Sequence, residues 1–389
     1  MAHHIKSVVC LIATLSTGAA LAQVTPTQTG TSAQASTTAS PAAYVYVSSS
    51  PSSGKYEINA YSAASNGSLT AVPGSPFSAD VQYMAGTRNY LFGTNGINLD
   101  SFSIASNGAL NQVSTINAQV HNPYGSGGPG NLFLDHTGTT LYDGDTYAYG
   151  TGNNAYQFFT IDKSTGQLNY LGITPNGGTE VGSVLSFTGG NVYAYSSSCY
   201  HFAPDIFGYK RNADQTLSPL NINPPFPTAK PGNFYCPYLA AADPTNHVAI
   251  SVQQLTGNWG QVGSPQLATY TVDSSGNLTT TSTYSNMPST SVSALNDIWM
   301  APSGKLLAVA GTTGLQVFHF NGSSPITHYT GLLTNAQIDQ VFWDNANHLY
   351  ALSRSAGKLY VFTITPTSHS QAPGSPHTIT NPQNIVVLP

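Results

Sequence analysis

The sequence predicts an all-β protein built as one ring of seven four-stranded blades, a β-propeller. Three observations predict it. The 389-residue chain is rich in Gly, Ser, Thr, Asn and Tyr and only 6% charged, which is poor helix material and good strand-and-turn material. A strand–turn–strand motif recurs seven times. One strand is missing at the first repeat and left over at the last.

The recurring motif is apolar, any, any, then Tyr or Phe. It ends at Tyr61, Phe102, Phe159, Tyr209, Tyr270, Phe318 and Phe362, at intervals of 41, 57, 50, 61, 48 and 44 residues. In six of the seven, a Leu or Ile follows across a Gly, Asn or Ser turn: Leu69, Leu110, Leu168, Leu217, Leu278 and Ile326. Each unit reads as a β-hairpin, and a unit near 40 residues with insertions fits a propeller blade.

Two further strands precede each hairpin. The nearer column is "YVYV" from Tyr44, "YLFGT" from Tyr90, "TLYDG" from Thr140, "NVYAY" from Asn191, "HVAIS" from His247, "LLAVA" from Leu306 and "LYALS" from Leu349. The innermost column starts at Gln82, Asn131, Ser183, Tyr238, Asp297 and Gln340, and blade one lacks it. The terminal strand "NIVVLP", Asn384 to Pro389, supplies the missing element and closes the ring. A β-solenoid or a pair of sandwiches would need no such strand. Closure also explains why "PGSP" occurs at residues 73–76 and again at 373–376. The two turns occupy related places in blades one and seven, which become neighbours.

Residues 1–22 read as a signal peptide, with a polar start, the apolar "VVCLIATL" and the small-residue site Ala20-Leu21-Ala22. Residues 23–42 carry no charge and almost no large apolar side chain, so they read as a disordered Ser/Thr-rich linker. The propeller is expected over residues 43–389. Export to the periplasm, cell surface or medium follows from the leader. No later segment has the length of apolar sequence that spans a membrane. The net charge of −5 and the lack of a basic stripe argue against nucleic acid as a partner. Cys199 and Cys236 remain after the leader is removed, an even number that suggests one disulfide in an exported chain.

The segments "YTVDSSGNLT" (270–279), "FTIDKSTGQL" (159–168), "YSAASNGSLTAVPGSPF" (61–77) and "MAPSGKLLAVAG" (300–311) resemble the seven-bladed lactonase propellers, the phosphogluconolactonase-like and YVTN-repeat proteins. The resemblance covers residues 44–389 and implies a lactone hydrolase ancestry. Where the family's enzymes often carry Gly-Pro-Arg-His, this chain has Gly128-Pro129-Gly130-Asn131. The "YDGD" segment stands where the family's Asn-Glu is expected. The groups that would polarise a lactone carbonyl and activate water are therefore replaced.

The first residues of the innermost strands are all polar: Gln82, Asn131, Ser183, Tyr238, Asp297, Gln340 and Asn384. They are expected to ring the mouth of the central channel, solvating it and satisfying strand-end backbone groups. No cofactor and no metal are expected; the amide and carboxylate oxygens would suit Ca²⁺ better than zinc if a cation entered. Long loops in blades two to five carry Tyr124, Tyr147, Tyr149, Tyr200, Tyr235, Trp259, His121 and His201. Aromatic faces beside amides suit sugar rings. His136, His247 and His348 are expected to be solvated on the opposite face. The first functional expectation is an exported binding or interaction scaffold for a neutral ligand such as a glycan, or for another surface protein, and monomeric. The alternative is a sugar-lactone hydrolase, in which Asp297 or Glu180 activates water and His121 or mouth amides stabilise the oxyanion.

Overall fold

The structure is a computed structural model that describes residues 40–52, 54–118, 131–145, 155–174, 184–200 and 203–389. All regular elements among these residues are strands. They form seven antiparallel sheets, each a blade of the ring. Ser40–Pro389 is one compact unit.

The ring closes as the strand count requires. Pro382–Leu388 pairs antiparallel with Ala43–Ser52, with Val387 opposite Val45 and Ile385 opposite Val47. Lys55–Ala63 and Leu69–Ala71 complete blade one. The other innermost strands are Tyr83–Gly86, Asn131–Leu134, Ser186–Phe187, Asn233–Ala242, Leu295–Met300 and Gln340–Trp343. Four expectations about these strands are corrected, the first being that for Gln82, which lies one residue before Tyr83–Gly86. Tyr238, Asp297 and Asn384 are not first residues, because their strands begin upstream and pass through a β-bulge beside each of them. A bulge breaks the period of two that the sequence reading relied on.

The second strand of each blade is buried on both faces, so it reads as a near-continuous apolar run. Leu306–Gly311 is buried at every position. Its side chains alternate between seams. Leu306, Ala308 and Ala310 pack toward blade seven, while Leu307 and Val309 pack toward blade five. In blade one, Val45 and Val47 face blade seven and Tyr46 faces blade two. The described residues thus form seven apolar clusters, one at each seam. No blade owns a core; each shares one with each neighbour.

The two "PGSP" segments adopt the same arrangement. Ser75 Oγ accepts from Ala60 N at 2.9 Å, and Ser375 Oγ accepts from Val361 N at 2.8 Å. Both Ser–Pro bonds are cis, and both preceding glycines have positive φ. Each segment then adds a short outer strand, Phe77–Ser78 on blade one and His377–Thr378 on blade seven.

On the opposite face, the turns after the innermost strands are tied by aspartates. Asp135 accepts from the Thr139 and Thr140 amides and pairs with Arg211 at 3.2 Å. Burial pushes its carboxyl up, but hydrogen bonds from Thr137, Asn191 and Thr140, together with Arg211, outweigh that and hold it below its ordinary value. Asp243 holds His247 at 3.1 Å, and Asp344 holds His348 at 2.6 Å. His348 is not solvated as expected: it is fully buried at the seam with blade one, against Gly67. His247 is only part-buried.

Candidate functional site

A channel of about 860 Å³ runs along the ring axis, lined by the innermost strands. One end is lined by His136, Gly189, Asp243, Pro244 and Pro302, from the turns after the innermost strands of blades three to six. The other end is the mouth expected from the sequence. Asn131, Asp297, Gln340 and Asn384 all line it, with Asn296, Asp339 and Arg354 beside them. Arg354 is the only Lys or Arg among the described channel-lining residues.

Innermost strands of neighbouring blades are not paired by their backbones, so their polar groups need other partners. Mouth side chains supply them in sequence around the ring. Asp297 Oδ2 accepts from Val341 N at 2.9 Å, from blade six to blade seven. Gln340 Oε1 accepts from Ile385 N at 3.1 Å, from blade seven to blade one. Asn384 Oδ1 accepts from Met84 N at 3.0 Å, from blade one to blade two. Asn296 Nδ2 donates to Ile338 O at 2.9 Å, reinforcing the first of these seams. The backbone-satisfying role expected of the polar ring is thus observed at Asp297, Gln340 and Asn384.

Asp297 is the most perturbed of these groups. Its Oδ1 accepts from its neighbour's amide, Ile298 N, at 2.9 Å, so both oxygens are engaged by backbone. Burial pushes the carboxyl up to about 7, against the pull of those two amides and of Arg354. Asp339, also at the mouth, accepts from Arg354 N at 2.7 Å and from Gln337 Nε2 at 2.9 Å. Among the described residues, no three His, Cys, Asp or Glu side chains converge to hold a metal ion.

The channel wall carries aromatic groups that the sequence reading missed. Trp299 and Phe342 line it and lie against each other with centroids 4.5 Å apart. Both sit within the apolar runs "DIWMA" and "QVFW", where period-two logic assigns them to blade faces. Tyr238 is 40% exposed at the bulge between Pro237 and Leu239. Gln82 and Tyr238, expected at the mouth, are not among the channel-lining residues; the Gln82 carbonyl accepts from Ser48 Oγ at 2.6 Å.

Above the mouth, blades four and five rise into a wall. Several segments expected to be loops are strand instead. Tyr193–Tyr200 pairs with Ala203–Arg211 up to Tyr200 and Ala203, and Asn233–Pro237 pairs with Val252–Thr256. Cys199 and Cys236 join these two hairpins in a disulfide with Cα atoms 5.4 Å apart. Tyr235, expected to face a ligand, is buried, and its hydroxyl donates to Gln266 Oε1 at 2.7 Å. Trp259 lies at the turn after Thr256. Glu180, His121, Ser183, Tyr124, Tyr147 and His201 lie outside the described residues, as does the side chain of Tyr200.

A closed seven-bladed ring is the fold of the lactonase-like propellers. Solved structures align over nearly all of their own length. A Pseudomonas aeruginosa periplasmic gluconolactonase aligns at TM-score 0.62 and 13% identity, over 89% of this chain and 99% of that one. A Bacteroides fragilis protein provisionally named a 6-phosphogluconolactonase aligns at TM-score 0.59 and 14% identity, over 91% and 99%. A functionally unknown protein from Desulfotomaculum acetoxidans aligns at TM-score 0.58 and 14% identity, over 89% and 98%. At these identities the likeness is one of fold. No family model matches the sequence, and no curated protein does.

Proposed function

We propose that the protein is an exported binding protein whose channel mouth holds a small neutral polyhydroxylated ligand, a sugar or a sugar lactone. The observation that carries this reading is the double engagement of Asp297. Both carboxylate oxygens already accept backbone amides that join two blades. Such a group can accept a further hydroxyl hydrogen bond, but it is held in place for binding rather than freed to deprotonate water. Amide side chains at Asn131, Gln340 and Asn384 and the faces of Trp299 and Phe342 complete a surface that suits hydroxyls and a ring face. Among the described mouth residues Arg354 is the single cation, which disfavours a phosphorylated ligand. The periplasmic neighbour in fold and the disulfide support export.

A second reading, a lactone hydrolase, is favoured by one observation. A carboxyl brought to about 7 is suited to general acid–base work at neutral pH.

Isothermal titration of the purified protein with neutral monosaccharides and aldonolactones tests the first reading. Saturable binding to at least one compound, weakened by Trp299→Ala, is expected. No heat from any compound would remove it.

A further inference from the structure

The wall over blade five ends in an aromatic surface that the channel does not use. Trp259 occupies a turn closed by its own amide donating to Thr256 O at 2.9 Å. Its φ is +64°, a region that bulky L-residues rarely adopt. Glycines stand at 257 and 260 in the same turn, yet the left-handed position holds the tryptophan. The conformation presents its ring edge-on to Phe234, centroids 4.7 Å apart and planes at 78°. Both rings remain partly exposed.

The surface continues through the adjoining turn. Asn233 N donates to Lys230 O at 3.0 Å, and Lys230 Nζ lies 5.9 Å from the centroid of the Tyr284 ring. Tyr284 is 42% exposed and Phe226 is 38% exposed. A bridge between Thr228 and Thr283 holds their segments side by side. Phe226, Tyr284, Phe234 and Trp259 thus sit on segments tied together by the Thr228–Thr283 bridge and the Lys230–Asn233 turn, and these segments make up a rim with Lys230 as the charged side chain among the rings. None of the five lines the channel.

We propose that this rim is a second binding surface, for a neutral polysaccharide chain whose pyranose faces stack on Trp259 and Tyr284. Sugar rings offer apolar C–H faces to aromatic rings and hydroxyls to nearby amides, and need no charge. The near absence of charge disfavours nucleic acid and acidic polymers, which bind through clustered cations. Several partly exposed rings on joined segments suit an extended chain better than one monosaccharide. The proposal rests on the rim alone and stands whether or not the channel binds a sugar.

Affinity electrophoresis of the full-length protein through gels containing mixed-linkage β-glucan, glucomannan or starch tests it. At least one polymer is expected to retard the protein. Trp259→Asn and Tyr284→Ala are each expected to weaken that retardation at least tenfold, whereas Lys163→Ala, at an exposed turn of blade three, leaves it unchanged. Asparagine tolerates the left-handed region, so Trp259→Asn is expected to fold with an undiminished Tm. The proposal is overturned if no polymer retards the protein, or if both rim variants are retarded like the parent. It is also overturned if sedimentation shows a dimer lost in Trp259→Asn, since a second copy then covers the rim.

Discussion

The hydroxyl of Tyr46 donates to the carbonyl oxygen of Gly108 at 2.9 Å, joining the second strand of blade one to the outer turn of blade two. Tyr44, two residues earlier, donates to Ser106 O of the same turn at 2.6 Å. Blade four repeats the pair on blade five, with Tyr193 reaching Ser274 O and Tyr195 reaching Gly276 O. Tyr142 reaches Gln215 O at 3.1 Å from blade three. The tyrosine-rich strands are therefore seams as well as strands, and the glycine turns are shaped to receive them.

Gly108 makes this seam fragile. Its φ is +85°, and a Cβ there would lie 2.4 Å from the Tyr44 ring. Gly108→Ala is expected to destabilise the ring by roughly 3 kcal/mol, from backbone strain plus overpacking. Tyr46→Phe removes one hydrogen bond and should cost about 1 kcal/mol. Urea unfolding of both variants checks the order.

At the closing seam, His348 takes the place of the first tyrosine. Asp344 Oδ1 accepts the His348 and Ala346 amides, while Oδ2 meets His348 Nδ1 and the Tyr350 hydroxyl. Asp344→Ala would leave these buried donors without a partner. A loss of about 3–5 kcal/mol is expected, measured as a lower urea midpoint. An unchanged midpoint would contradict a stabilising role for this buried cluster.

Asp297 should give the stability a pH dependence of definite sign. Its folded-state pKa of about 7 lies above its ordinary 3.8. Between these values the folded protein holds a proton that the unfolded chain has lost. The contribution is therefore full below about pH 4, falls as pH rises toward 7, and is flat above. Its ceiling is about 4 kcal/mol, lowered by the open side toward the channel. Asp297→Asn should thus gain stability relative to the parent as pH is raised from 5 to 7.5. Melting curves across that range check the slope.

The disulfide spans 37 residues and ties blades four and five above the mouth. Cys236→Ser is expected to cost about 3 kcal/mol in stability under oxidising conditions. The parent should show the same loss on reduction, and the variant should show no further change. Thiol titration of the unfolded parent should count no free thiol from this pair.

The ring was legible because its signal is long-range. Seven hairpins, seven second strands and one displaced strand agree, and alternating burial such as Val45, Tyr46 and Val47 is written in plain sequence. The site was legible only in outline. Asp297, Gln340 and Asn384 stood out as polar residues before apolar runs, but their cross-blade partners, Val341, Ile385 and Met84, are backbone amides without sequence signature. Bulges hid the start of three inner strands. Trp299 and Phe342 escaped notice because a residue facing an axial channel has the same pattern as one facing a seam. His348 was misplaced because its burial depends on Gly67, about 280 residues away in sequence.

The measurement that bears most directly on the central claim is a paired assay of binding and turnover. The purified protein and its Asp297→Asn variant would be mixed with a panel of neutral sugar lactones. Ligand loss and bound fraction would be followed together by NMR. The account predicts saturable binding to the parent with lactone decay at the rate of buffer alone. Lactone hydrolysis by the parent that disappears in Asp297→Asn would contradict it and place a catalytic carboxylate at the channel mouth.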